Sequence, residues 1–132
     1  DPSYVTRSKC HRYLDALSIH PYGKLPAGWT GETDWGLGDL EHLIELYTPF
    51  HLPVWISEFG APEKETGTEH GKYLAGMVRD MNRLEVPVAI QFCADDTMVR
   101  GFGMFDEGWP KESWRRFRAA VSEVRNGVEQ YT

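Results

Sequence analysis

A single carboxylate ends one of the most apolar stretches of the sequence. Residues 54–60 read VWISEFG, so Glu58 follows a run of large apolar side chains and comes directly before Phe59 and Gly60. A buried charge without a partner costs free energy, so a glutamate in this place is expected to have polar neighbours. It either takes part in chemistry or is a structural group that caps the following turn or forms an ion pair.

Two other apolar segments also end in polar side chains. Residues 16–22 read ALSIHPY, and residues 86–96 read VPVAIQFCADD. His20 and Tyr22 share one face of an extended chain, where either can hydrogen-bond a carboxylate on the next strand and keep it ionised. The three segments therefore carry polar groups at equivalent ends.

The apolar segments predict β-strands. They are residues 16–20, 54–58 and 86–92. Each is apolar on both alternating faces, which is typical of parallel strands covered by helices. With a side-chain period of two, Glu58 is expected on the same face as the core residues Val54 and Ile56. Trp55 is also assigned to the core between sheet and helices.

Helical patterns separate the strands. Apolar residues recur at helical spacing in segments that begin at Leu40, Leu74 and Trp114, and residues 4–13 are expected to form a further helix. The order helix, strand, helix, strand, helix, strand, helix is that of an α/β protein whose parallel strands are joined by right-handed crossovers.

The loops that leave the strands are long, and those that enter them are short. Residues 21–38, 59–66 and 94–109 follow strands, whereas residues 48–53 and 85–86 precede them. In α/β folds the loops at the carboxyl ends of the strands form the active site. The polar groups described above all fall at that end, around one predicted concave site.

Length and charge limit what the chain can be. At 132 residues it is at most one folding unit, and its 41% hydrophobic and 13% aromatic residues are typical of a globular protein rather than a disordered one. Fourteen basic and twenty acidic residues give a net charge of −6. This charge disfavours nucleic acid and anionic membranes as partners, because their phosphate groups would be repelled.

The sequence predicts no metal site and no membrane segment. Cys10 and Cys93 are interpreted as free thiols, and the histidines lack the spacing of metal ligands. No run approaches the about 18 apolar residues of a transmembrane helix and no leader is recognised, so the mature chain is expected to be soluble. The start at Asp1, without methionine, is what a processed protein or an internal fragment would show.

Four stretches together resemble a known group of enzymes. They read ALSIHPYG from residue 16, PVWISEFGAP from residue 53, AIQFCADD from residue 89 and RGFGMFDEGWPKESW from residue 100. In this order they resemble strands six to eight, and the segment after strand eight, of the (β/α)8-barrel glycoside hydrolases in the large retaining clan of cellulases, mannanases, β-xylosidases and β-galactosidases. The resemblance covers nearly the whole chain. It implies a partial TIM (β/α)8 barrel, in which residues 1–132 are the C-terminal portion of one catalytic domain.

The resemblance also implies roles for the polar strand ends. That clan has its catalytic nucleophile as a glutamate at the end of strand seven, which corresponds to Glu58. A histidine and a tyrosine often end strand six, and they correspond to His20 and Tyr22. The implied reaction is hydrolysis of β-linked oligo- or polysaccharides by double displacement, with a second carboxyl group as acid/base. No cofactor is implied.

Aromatic residues would contact the sugar in such an enzyme. Trp29 and Trp35 in the first long loop, and Phe92 at the end of the third strand, offer flat faces on which a sugar ring can stack. Asp95 is a further candidate for substrate contact. Structural interpretations remain open for these residues, since the tryptophans can pack over their own loop and Asp95 can cap a turn.

The sequence departs from the clan's pattern in two ways. The clan's acid/base is a glutamate that follows an asparagine, but neither Asn82 nor Asn126 precedes a glutamate. An indole that is common at the end of strand eight is not evident, and Phe92 lies in that stretch. Since a complete barrel takes about 250 residues, the acid/base is expected in the remainder of the barrel, from the same parent protein. The isolated chain is then expected to be inactive, and secretion of the parent is favoured because most relatives that degrade polysaccharide are exported.

Two other interpretations stay open. In the first, the chain is a non-catalytic carbohydrate-binding or scaffolding relic of such a barrel, and Glu58 only accepts a hydrogen bond. In the second, it is an unrelated α/β domain whose polar strand ends coincide by chance. If the chain exists alone, its three-stranded sheet is expected to leave two open edges and one uncovered face, and poor solubility, association or no hydrolysis is then expected.

Overall fold

The computed structural model describes residues 1–29 and 38–131. Its elements, in chain order, are α1 (Pro2–Ser8), β1 (Leu17–Ile19), α2 (Leu40–Glu45), β2 (Val54–Phe59), α3 (Glu63–Thr66), α4 (His70–Arg83), β3 (Ala89–Gln91), β4 (Phe105–Asp106), β5 (Trp109–Pro110) and α5 (Glu112–Tyr131). Short 3-10 turns occupy Cys10–Tyr13, Thr48–Phe50 and Gly67–Glu69.

One parallel sheet organises the chain. Its strand order is β1-β2-β3, and both pairs are parallel. Leu17 pairs with Val54, so β1 and β2 start level with one another. Ala89 at the start of β3 pairs with Ile56, and all three strands run in the same direction and end on the same side of the sheet. Three parallel strands that alternate with helices confirm the predicted α/β class, and the arrangement is that of part of a TIM barrel.

The core lies on one face of the sheet. Val54, Ile56 and Phe59 belong to one buried cluster with the α4 residues Tyr73 and Met77. An amphipathic α4 supplies this layer, because its apolar side chains recur every three or four residues along one side. Ile56 is completely buried, so truncating it to alanine would cost about 2–5 kcal/mol.

The opposite face of the sheet is open. Trp55 points away from Val54 and Ile56 and is 44% exposed, and Ile90 on β3 is exposed as well. The assignment of Trp55 to the core between sheet and helices was therefore wrong. The physical reason is the two-residue period of a strand, which gives neighbouring residues opposite faces, and the helices cover only one of these.

A short hairpin interrupts the long loop that follows β3. Strands β4 and β5 pair antiparallel, Phe105 with Pro110 and Asp106 with Trp109. Glu107 and Gly108 connect them with positive φ angles of 48° and 81°, as a type I′ turn requires. This hairpin was not predicted, and α5 begins at Glu112, just after it.

None of the helices within residues 1–29 and 38–131 combines the length and the apolar character that crossing a bilayer requires.

Candidate active site

The carboxyl ends of the strands bring three of the predicted site residues together. His20 directly follows β1, Tyr22 begins the next turn, and Glu58 is the penultimate residue of β2. Because β1 and β2 are parallel neighbours, their last residues meet at the same edge of the sheet. The three side chains form one cluster there.

Glu58 is held by both other members of this cluster. The Tyr22 hydroxyl donates a hydrogen bond of 2.8 Å to Glu58 Oε2. His20 Nδ1 lies 3.6 Å from the same oxygen, and the side chains of His20 and Glu58 are 49% and 41% exposed. The carboxylate is thus fixed on one side and open to a ligand on the other. Partial burial, together with the hydrogen bond to Glu58, raises the pKa of Tyr22 well above its usual value, so its hydroxyl stays a donor.

An irregularity in β2 decides where Glu58 points. Ile56 pairs with Ala89 and Phe59 with Gln91, so three steps along β2 match only two along β3. The extra residue leaves Ile56 and Phe59 both buried. The expectation that Glu58 shares the face of Val54 and Ile56 is therefore wrong, because the two-residue period is broken by a β-bulge.

Two serines extend the cluster along the open face of the sheet. Ser57 Oγ lies 2.8 Å from His20 Nε2 and 2.6 Å from Ser18 Oγ. Ser57 and Glu58, although adjacent in sequence, thus both contact His20. The tautomer of His20 decides whether Ser57 Oγ or His20 Nε2 is the donor in this contact. Sequence reasoning missed both serines. The available signal was that Ser18 and Ser57 alternate with Leu17, Ile19 and Ile56, which predicts that the serines share the opposite face of the sheet.

Three aromatic rings support the hydroxyl that binds Glu58. Tyr22, Phe92 and Phe102 pack edge to face with one another, with ring centroids 5.7 to 6.4 Å apart. Phe92 thus adjoins the cluster, as its place at a strand end predicted. Its ring contacts Tyr22, and its contact with sugar stays a prediction. Phe102 was missed, and its only signal was its place in the RGFGMF stretch.

Gly60 allows β2 and β3 to approach closely at this end. A Cβ atom on Gly60 would lie 2.3 Å from the carbonyl oxygen of Phe92. The amide of Phe92 donates to the carbonyl oxygen of Phe59 at 2.7 Å, and the peptide bond between Phe92 and Cys93 is cis. A side chain at position 60 would push the third strand end away from the cluster.

Of the two predicted tryptophans, the structure describes only Trp29, which packs on α4. Trp29 packs edge to face on Tyr73 of α4, with ring centroids 5.8 Å apart, and Lys72 Nζ lies 5.2 Å from its ring centroid. Its place against α4 agrees with a packing role, and its contact with sugar stays a prediction. Trp35 lies in residues 30–37, outside the part of the chain that is described.

Asp95 and Asp96 organise the loop after β3. Asp95 accepts from the amides of Thr97 at 2.9 Å and Gly108 at 2.8 Å, and these hydrogen bonds lower its pKa. This is the turn-capping interpretation, while substrate contact by Asp95 stays untested. Asp96 accepts from Gly103 at 2.7 Å and from Lys111 at 3.0 Å. Burial acts to raise the pKa of Asp96, but Lys111 and the loop amides outweigh it and lower this pKa.

Within the described parts of the chain, no group of three or more His, Cys, Asp or Glu side chains is placed to hold a metal ion. The cluster around Glu58 orients one carboxylate at the carboxyl end of β2.

Comparison with known proteins gives one informative likeness. No protein-family model matches the chain, and no curated protein matches it. Among solved structures, the chain is similar to Thermotoga maritima Cel5A, crystallised in a mutant form in complex with its cellobiose substrate. The identity is 25% and the TM-score 0.50, over 80% of this chain and 39% of that one. The chain therefore has a glycosidase-like fold and spans well under half the length of the structure it matches.

Proposed function

We propose that this chain is the nucleophile-bearing part of a retaining glycoside hydrolase that acts on β-linked oligo- or polysaccharides. The observation that carries the proposal is the position of Glu58, whose Oε2 is 2.8 Å from the Tyr22 hydroxyl and 3.6 Å from His20 Nδ1 at the carboxyl end of a parallel strand. The likeness to Cel5A, which binds cellobiose as a substrate, supports the same class of ligand.

In this proposal Glu58 attacks the anomeric carbon of the sugar. The leaving oxygen takes a proton from a second carboxyl group, and a covalent glycosyl-enzyme results. Water, deprotonated by that second group, then attacks the same carbon and releases the sugar with its configuration retained. The Tyr22 hydroxyl and the His20 ring hold the carboxylate in one orientation, which keeps it close to the geometry of attack.

The acid/base group is proposed to come from the remainder of the barrel. A retaining enzyme needs its two carboxyl groups about 5 to 5.5 Å apart, and no asparagine of this sequence precedes a glutamate. The open face of the sheet, with Trp55 and Ile90 exposed, is where further strands of a barrel would enclose an interior. The isolated chain is then catalytically incomplete.

Replacement of Glu58 tests the proposal in the parent protein. Glu58→Gln keeps the shape of the side chain and removes the nucleophile, so hydrolysis of aryl β-glycosides should fall at least about a thousandfold. Glu45→Gln, on the exposed surface of α2, is the matched control and should retain the wild-type rate. Equal rates for Glu58→Gln and the wild type would refute the assignment of the nucleophile.

A second candidate is a non-catalytic carbohydrate-binding relic. An Asn-Glu pair upstream in the parent protein would favour the enzyme, and its absence there would favour this relic. In that case, the parent protein would bind cello-oligosaccharides and Glu58→Gln would weaken binding, but neither protein would release a product. Product analysis by chromatography, performed beside a binding assay, separates the two candidates.

A further inference from the structure

A second concave site lies between the loop that follows β2 and the loop that follows β3. Its cavity has a volume of about 960 Å³, which is at the upper end of the range for small-molecule sites. Glu63 and Lys64 at the start of α3 form one wall, and residues 96–107 supply most of the other. Both walls belong to the described chain, so the cavity does not depend on any further strand.

The two walls are tied to each other by direct contacts. Lys111 Nζ bridges Glu63 Oε1 at 2.6 Å and Asp96 Oδ2 at 3.0 Å, one carboxylate from each wall. The amide of Glu63 also donates to the carbonyl oxygen of Gly101 at 2.8 Å. Because a charged bridge and a backbone hydrogen bond both join the two walls, the shape of the cavity is formed before a ligand arrives.

The chemistry of the lining favours a neutral ligand with many hydroxyl groups. Lys64 and Arg100 present donors, while Asp106 and Glu107 present acceptors. Together with Lys111, Glu63 and Asp96, the lining carries three basic and four acidic side chains, a net charge of −1, so an acidic ligand is disfavoured. A sugar unit, whose hydroxyls both donate and accept, matches such a lining.

An exposed tryptophan stands beside this cavity. Trp109 is 78% exposed and pairs directly with Asp106 in the hairpin. Directly opposed residues of an antiparallel pair project from the same face, so the indole lies on the side of the hairpin from which Asp106 lines the cavity. A flat apolar indole next to a polar cavity offers a sugar ring a surface for stacking.

One aromatic ring separates the cavity from the Glu58 cluster. Phe102 lines the cavity, and its ring packs 6.2 Å from that of Tyr22, which donates to Glu58. We propose that the cavity and Trp109 form a further sugar subsite, which binds a unit of an oligosaccharide beyond the one that Glu58 attacks. This rests on the proposed function and makes the preferred substrate a chain of several sugars.

Affinity for sugars of two lengths tests the subsite. The parent protein carrying Glu58→Gln is titrated with cellobiose and with cellopentaose by calorimetry, with and without Trp109→Ala. Loss of a stacking tryptophan should weaken cellopentaose binding about tenfold and leave cellobiose binding unchanged. Arg100→Ala, which removes a donor from the lining, should reproduce the selective loss. Tyr13→Ala, at a residue 88% exposed and located before β1, is the control and should change neither affinity.

The outcomes separate this inference from the proposed function. Equal affinities with and without Trp109→Ala and Arg100→Ala, equal losses for both sugars, or no binding of cellopentaose would each overturn the subsite. Failure of the nucleophile assignment appears differently, as cellobiose or glucose released from cellopentaose by the Glu58→Gln protein during the titration. Thermal unfolding of each variant, measured in parallel, identifies any loss that comes from misfolding.

Discussion

Replacing Tyr22 with phenylalanine isolates the hydrogen bond that the proposed nucleophile receives. The Tyr22→Phe side chain keeps the ring that packs against Phe92 and Phe102, at centroid distances of 6.4 and 6.2 Å, and loses only the hydroxyl. That hydroxyl donates to Glu58 Oε2 at 2.8 Å. The variant therefore removes one hydrogen bond to a carboxylate with little change in packing.

The size of the effect follows from the exposure of Glu58. A hydrogen bond to a charged group contributes about 1.5–3 kcal/mol. The Glu58 side chain is 41% exposed, so water partly replaces the lost donor and the lower end of this range applies. At about 1.4 kcal/mol for each factor of ten, kcat should fall about tenfold. The loss arises because the carboxylate, without the Tyr22 hydroxyl, spends less time in the orientation for attack.

Steady-state kinetics of the parent protein on an aryl β-cellobioside measure this effect. We expect the change mainly in kcat, because the hydroxyl contacts the nucleophile rather than a distant part of the sugar. Tyr13→Phe, at an exposed residue before β1, is the matched control and should leave both kcat and KM unchanged. A kcat for Tyr22→Phe within about twofold of the wild type, in a folded protein, would refute the positioning role of Tyr22.

Two further predictions concern stability. Gly60→Ala should destabilise the fold by about 1–3 kcal/mol, because its Cβ would lie 2.3 Å from the carbonyl oxygen of Phe92. Chemical denaturation measures this change. Gly127→Ala in α5, whose Cβ would meet no atom within 4 Å, is the control and should not lower the unfolding free energy, because alanine favours a helix more than glycine does. An unchanged unfolding free energy for Gly60→Ala would contradict the close approach. Burial lowers the pKa of His70 below its usual 6.5, although Glu63 opposes this, so the unfolded chain binds a proton first as the pH falls. The free energy of unfolding should then decrease as the pH falls below about 6.5, by about 1.4 kcal/mol per unit of pKa shift. His70→Gln should remove this decrease. If the unfolding free energy of His70→Gln and of the wild type depended equally on pH, the prediction would be contradicted.

The class of fold and the end of the sheet that carries the site followed from local patterns. Apolar runs such as 54–58, separated by helical patterns, predict parallel strands that are covered by helices. Because parallel strands run in the same direction, they end at the same edge of the sheet. His20, Tyr22 and Glu58 could therefore be expected to meet, and the structure does bring them together. Phe92 adjoins them for the same reason, since it follows β3 directly.

Other features depended on pairing between distant segments. The hairpin of β4 and β5 has strands of only two residues each, too short for an alternating pattern to reveal. Trp29 lies in a loop, so only the position of α4 determines that it packs on Tyr73. The cavity beside Phe102 likewise needs both loops in place, and no spacing within either of them predicts it.

The stretch VWISEFG illustrates where the division lies. Its run of apolar residues predicted a strand that ends in a carboxylate, because such a short run is typical of a strand packed against helices. The direction of that carboxylate was decided by the neighbouring strand, since the extra residue between Ile56 and Phe59 exists only relative to Ala89 and Gln91. A bulge is a property of two paired strands. For that reason, only the tertiary structure could show that Glu58 and its neighbour Ser57 both contact His20.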